Sequence, residues 1–182
     1  LTPLRPNNAQ MILSFFVAGM AAGTLIVGPL SDSFGRKPII YYGASLYIFS
    51  SAVCVLSPSL EVILISRFLQ GVGASAPRVV AQALVRDFYK GREMARISSF
   101  IMIIFALVPA IAPLLGSFVM LAFNWRFIFL MFIAFVAVST MWMAFRIDES
   151  VTKEKRIEFN LKQVGLAFKE VLSNQMILTS II

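Results

Sequence analysis

Long stretches free of charge govern what this chain can fold into. No Asp, Glu, Lys or Arg lies between Arg5 and Asp32, between Lys37 and Glu61, between Arg96 and Arg126, or between Arg126 and Arg146. Each gap is apolar and near the roughly 20 residues a helix needs to cross about 30 Å of hydrocarbon. Membrane helices are therefore predicted at about 10–30, 39–57, 61–85, 97–121 and 127–146. A helix this long in a soluble core keeps a polar face, and the charge-free segments have none. A cleavable leader would explain one such segment at most.

Composition narrows the chemistry. Hydrophobic residues make up 59% of the 182 positions and charged residues 14%, far from the balance of a soluble domain. There is no His and one Cys, Cys54. That excludes a His-dependent triad, an imidazole metal site, an internal disulfide and a thiolate cluster. No HExxH or GxSxG is present, so an intramembrane enzyme is not expected. The fold class is an all-α membrane protein, a polytopic helical bundle.

The net charge of +7 would suggest nucleic acid in a soluble chain, but its distribution points elsewhere. Arg36 and Lys37 lie in 31–38, and Arg86, Lys90, Arg92 and Arg96 in 86–96; Arg146, Lys153, Lys155, Arg156, Lys162 and Lys169 follow the last span. Only Arg5 and Arg126 fall on the opposite side. By the positive-inside rule, 31–38, 86–96 and 147–173 are expected in the cytoplasm, and nucleic acid is not a partner.

Punctuation agrees with the spans. Pro38 stands where a missing N–H costs little, Ser57-Pro58-Ser59 reads as a turn, and Asn124-Trp125-Arg126 as a break. Within the linker 147–173, Leu161, Val164, Phe168, Val171 and Leu172 recur at helical spacing, an amphipathic helix for the inner membrane face. Residues 174–182 begin another apolar run too short to cross. This run and the start at Leu1 lead us to expect a piece of a longer membrane protein.

The third span carries two buried charges. Arg67 and Arg78 differ by about 20° around a helix and by roughly 16 Å along it. Gln70, Gly71, Ala74 and Gln82 share their stripe, with Ile65, Leu69, Val72, Ala76 and Ala83 opposite. A charge in the membrane costs at least about 2.5–3.5 kcal/mol, so the stripe is expected to face a polar interior or partner carboxylates. Snorkelling to the interface is the alternative, weightier for Arg78 than for Arg67. No carboxylate sits deep in any complete span. Gly19 and Gly23, and the run Gly71-Val72-Gly73-Ala74-Ser75, read as close helix contacts. Pro109 and Pro113, followed by Gly116, are expected to bend the fourth span.

Gly28-Pro29-Leu30-Ser31-Asp32-Ser33-Phe34-Gly35-Arg36-Lys37 closely resembles the cytoplasmic signature of the major facilitator superfamily. Arg67-Phe68-Leu69-Gln70-Gly71 resembles its R-x-x-Q-G motif. Ala112-Pro113-Leu114-Leu115-Gly116-Ser117 is similar to the antiporter motif G-P-x-x-G-G, with Ala for the first Gly and Ser for the last. The segments 84–96 and 124–129 are similar to the Bcr/CflA drug-resistance branch.

The resemblance implies that the five spans are helices two to six of a twelve-helix transporter, a partial N-terminal half whose remainder is a necessary partner. It implies alternating access and proton-driven export of drugs or other amphipathic compounds across a bacterial inner membrane. The proton gradient is the energy source, with no cofactor or metal; the bilayer and a small-molecule substrate are the other partners. Gly28 and Gly35 are expected to permit a tight turn and close helix approach. Asp32 suits the N-terminus of a helix in the second half. Arg36 is expected to reach Asp87, and with Lys37 these residues form a conformational latch. Arg67, with Gln70, Gly71, Arg78 and Gln82, is assigned to coupling and the cavity. An exporter of a metabolite such as an amino acid or sugar, or a non-transporting scaffold or remnant, stays open as an alternative.

Overall fold

The computed structural model describes residues 6–57 and 59–146. Among them five helices follow one another, α1 (Pro6–Phe34), α2 (Arg36–Leu56), α3 (Leu60–Phe88), α4 (Gly91–Ala122) and α5 (Trp125–Arg146), with no strand. The linker and amphipathic helix expected over 147–173, and the short apolar run after them, lie outside the described residues. α1, α2, α4 and α5 are long and apolar enough to cross a membrane. α3, with 29 residues, would extend about 43 Å, but it is the polar member of the set.

Every helix starts ahead of its expected span, α1, α3 and α4 also run past its end, and the expected loops shrink accordingly. The segment 31–38 is a correction of this kind. Helix runs through Phe34 and resumes at Arg36, so Gly35 alone breaks it. Gly35 takes φ 104° and ψ 157°, a region open in practice only to glycine, and its N–H still donates to the Ser31 carbonyl at 3.2 Å. In 86–96 only Tyr89 and Lys90 leave the helix. Pro38 falls in the first turn of α2, where backbone N–H groups have no intrahelical partner. At the other end, Ser59 caps α3 by accepting from the Val62 N–H.

α3 sits between α1 and α2, and glycines set both distances. On the α1 side, a methyl group built on Gly19 would strike the Phe68 carbonyl, and one on Gly71 the Phe16 carbonyl. On the α2 side, a methyl on Gly73 would lie 2.6 Å from the Gly43 carbonyl and 2.8 Å from the Tyr47 nitrogen. Gly71 and Gly73 are about 200° apart on the helix, so the Gly-Val-Gly run clears opposite flanks of α3. α1 and α3 run parallel, while α2 packs antiparallel to α3 and to α5. In lipid, close backbone approach replaces the hydrophobic drive that joins helices in water.

The buried interior is small and half polar. Toward one end, Val27, Ile39, Ala76 and Val80 form an apolar cluster flanked by Leu30, Ile40, Val79 and Leu84. Toward the other, Ser50, Ser51, Ser66 and Gln70 are enclosed between helices. Large apolar side chains point outward instead, with Phe145 and Leu121 left 83% and 84% exposed. Residues with this distribution are solvated by lipid rather than water. α4 is extreme, with no buried residue along its length.

Candidate functional site

Two polar clusters stand out, one at the helix ends and one at membrane depth. At the ends, the Arg36 guanidinium joins three elements. Its Nη1 meets Asp32 Oδ1 at 2.6 Å and donates to Ser31 Oγ at 2.7 Å, both from the last turn of α1. Its Nε donates to Asp87 Oδ2 at 3.2 Å, in the last turn of α3. The break at Gly35 makes this fork available, because it redirects the chain just before Arg36. The Arg36 side chain is only 11% exposed, whereas Asp32 and Asp87 are 43% and 33% exposed. Ion pairs this open contribute about 0–1 kcal/mol to stability, so the cluster's effect is geometric: it joins the ends of α1, α2 and α3.

Lys37, beside it, has a different partner. Its Nζ donates to the Ala144 carbonyl at 3.0 Å, in the last turn of α5. The opposite end mirrors this contact, as Arg126 Nε at the start of α5 donates to the Val55 carbonyl in the last turn of α2 at 2.9 Å. Each helix of this antiparallel pair thus caps the other's C-terminus with a cation from its own first turn, where the macrodipole is negative. Sequence reasoning read Arg126 as an outside charge within a break and did not foresee this cap.

Gly28 departs from its expected role. It is mid-helix, and a methyl group added there would meet nothing within 4 Å. Neither a turn nor a close approach is formed at Gly28 among the described residues, because α1 remains helical past Pro29.

At depth, Arg67 Nη1 donates to Gln70 Oε1 at 3.0 Å, one turn along α3. Gln70 is fully buried, and its Nε2 donates to Ser51 Oγ on α2 at 2.7 Å. Ser51 Oγ in turn donates to the Tyr47 carbonyl at 2.7 Å. The other face of the guanidinium lies 4.7 Å from the centre of the Phe129 ring on α5. No carboxylate reaches Arg67 within ion-pair distance among the described residues.

The single stripe expected on α3 separates, because α3 is enclosed on two flanks rather than one. Gln70 turns to α2 and Gly71 to α1, while Ala76 and Ala83, expected opposite the stripe, are buried as well. Arg78 is exposed, with Nη1 3.7 Å from Met20 Sδ and its guanidinium 5.6 Å from the Phe105 ring centre. Gln82 is exposed too. Pro109 and Pro113 are exposed on α4, whose helix is unbroken from Gly91 to Ala122, and Gly116 faces open space.

The comparison that decides the family is with its sequence model: the Major Facilitator Superfamily model matches residues 4–182. The chain belongs to the major facilitator superfamily. Among other superfamily members, it is 40% identical over 169 residues to a protein of Bacillus subtilis (strain 168) named uncharacterized MFS-type transporter YdgK, covering 88% of this chain and 42% of that one. It is likewise 40% identical over 128 residues to multidrug resistance protein MdtL of Escherichia coli (strain K12 / DH10B), covering 69% of this chain and 33% of the relative. The same figures hold for MdtL of Shigella boydii serotype 18. The chain thus spans less than half the length of these curated superfamily relatives. A partial superfamily bundle accounts for the helices described above, and the protein is a multi-pass membrane protein.

Proposed function

We propose that this chain supplies helices two to six of an exporter that drives drugs or other amphipathic small molecules out of a bacterial cell against the inward flow of protons. One observation carries the reading. Arg67 is held inside the bundle on the polar helix α3, with a neutral amide and an aromatic face as its neighbours rather than a carboxylate. A permanent cation seated so in lipid is costly, which marks it as functional rather than decorative. It would bias an acid brought near it toward the charged form, which is how a proton and a substrate come to compete. The family and the relatives named for multidrug resistance support the reading. The 84–96 and 124–129 segments favour the Bcr/CflA branch within it.

In this account α1, α2 and α3 move as one piece at their cytoplasmic ends, joined by Asp32, Arg36 and Asp87, while Lys37 holds α5 to the same unit. Alternating access rocks that unit against the second half of the transporter. Gly71 sets the α1–α3 distance, Arg78 and Gln82 border the pathway, and Pro109, Pro113 and Gly116 give α4 the weak backbone that a gating helix uses. The energy source is the proton gradient, with no cofactor, and the setting is the inner membrane with 31–38 and 86–96 in the cytoplasm.

The test is efflux by the full-length protein in cells stripped of their own exporters. Ethidium accumulation should fall on expression, return on collapse of the proton gradient, and return with Arg67→Ala while the protein still inserts. Undiminished, gradient-dependent efflux by Arg67→Ala would refute the assignment.

A further inference from the structure

We propose that Phe129 on α5 is a positioning residue that seats the Arg67 guanidinium. The inference rests on the coupling role given to Arg67 above and extends it from the R-x-x-Q-G motif of α3 to a residue of α5. Phe129 is the one buried residue of α5 among those described, at 6% exposed. Its neighbours on the same helix, Phe132 and Phe135, are 37% and 73% exposed, so its burial reflects a specific contact rather than a buried helix. That contact is the ring face against Arg67, 4.7 Å from centre to Cζ.

A planar guanidinium is fixed in two directions here. One edge is tied by the hydrogen bond to Gln70, and one face is covered by the ring. The buried Arg67 Nε has no hydrogen-bond partner among the described residues, so the Gln70 bond alone would leave the group free to swing. Cation–π attraction strengthens with desolvation, and both the Phe129 ring and the Arg67 Nε are buried.

Phe129 is in turn held. Its ring meets Trp125 edge-on at 6.0 Å, and the Arg126 guanidinium lies 4.6 Å from the Trp125 ring centre while Nε bonds the Val55 carbonyl. A chain of contacts therefore leaves α2 at Val55, passes through Arg126, Trp125 and Phe129 on α5, reaches Arg67 and Gln70 on α3, and returns to α2 at Ser51. Arg126 sets the axial position of α5 and so places the ring over Arg67.

The experiment uses the full-length protein and two readouts. The first is ethidium efflux against external pH for Phe129→Leu, Phe129→Tyr and Phe129→Trp. The leucine variant should lose roughly 3- to 30-fold in efflux and shift the pH of half-maximal rate, while Trp and Tyr keep the original profile. An unchanged profile in Phe129→Leu, alongside loss in Arg67→Ala, would overturn the proposal. The second is a thermal-unfolding cycle in nanodiscs for Phe129→Leu, Arg67→Gln and the pair. The double variant should melt no lower than the worse single one; additive losses would overturn the contact. If the leucine variant fails to accumulate, Phe129→Met replaces it at similar volume without a ring. Should the unmodified protein export no ethidium, the transport reading fails, and the unfolding cycle decides the seating of Arg67 by the same two outcomes.

Discussion

Lys37 at the start of α2 donates to the carbonyl of Ala144 at the end of α5, 3.0 Å away across 107 positions of sequence. With its counterpart, Arg126 on Val55, it pins the two antiparallel helices at both ends. Lys37→Met and Arg126→Met should each lower stability by about 1 kcal/mol, the value of a partly screened charged hydrogen bond at a helix C-terminus. The sites lie at opposite ends of the pair, so the double variant should show the sum. Thermal unfolding in nanodiscs measures this, and no loss from either variant would remove the pins from the account.

Glycine substitutions should sort by what lies beside them. Gly71→Leu and Gly19→Leu place side-chain atoms against the α1 and α3 backbones, which cannot yield, and the protein should fail to accumulate. Gly116→Ala meets open space and should be neutral or stabilising by about 0.5–1 kcal/mol, through helix propensity alone. Membrane abundance by immunoblot distinguishes the two groups. Equal abundance of Gly71→Leu and wild type would contradict the close packing of α1 on α3.

At Gly35 the backbone itself decides. Its φ of 104° lies where a Cβ is strained, so Gly35→Ala should cost about 1–3 kcal/mol through the backbone alone. Relief by rotation would pull Arg36 away from Asp87. A melting temperature equal to wild type would show that the break tolerates a side chain.

The exposed ion pairs predict a split between stability and activity. Asp87→Asn and Arg36→Gln should each change unfolding free energy by less than about 1 kcal/mol, since both carboxylates near Arg36 are partly solvated. Efflux by the full-length protein should nevertheless fall by an order of magnitude or more in each, and in Asp32→Asn. Full efflux with Asp87→Asn would reduce the cluster to surface charge.

Helices were legible because exclusion of charge from lipid is written along one dimension: the gaps after Arg5, Lys37 and Arg96 mark α1, α2 and α4 directly. Gly19 and Gly71 were legible as packing positions for the same reason, since spacing on one helix suffices. Placement across helices was not. Phe129 is one of 17 phenylalanines, and nothing near it in sequence shows that its ring meets an arginine 62 positions earlier. How the residues around Arg67 and Arg78 divide between neighbours was not legible, because periodicity assigns one buried face, whereas α3 is flanked on two sides. Gly28 was misjudged because a motif glycine and a glycine that the backbone needs look alike until φ is known.

Sidedness of the bundle tests the account most directly. In a full-length protein freed of native cysteines, including Cys54, single variants Lys90→Cys and Asn124→Cys place exposed thiols at opposite ends of α4. A membrane-impermeant maleimide should label Asn124→Cys in intact cells and Lys90→Cys only after the membrane is opened. Equal labelling of both in intact cells would contradict a bundle that crosses lipid with its Arg36 cluster in the cytoplasm.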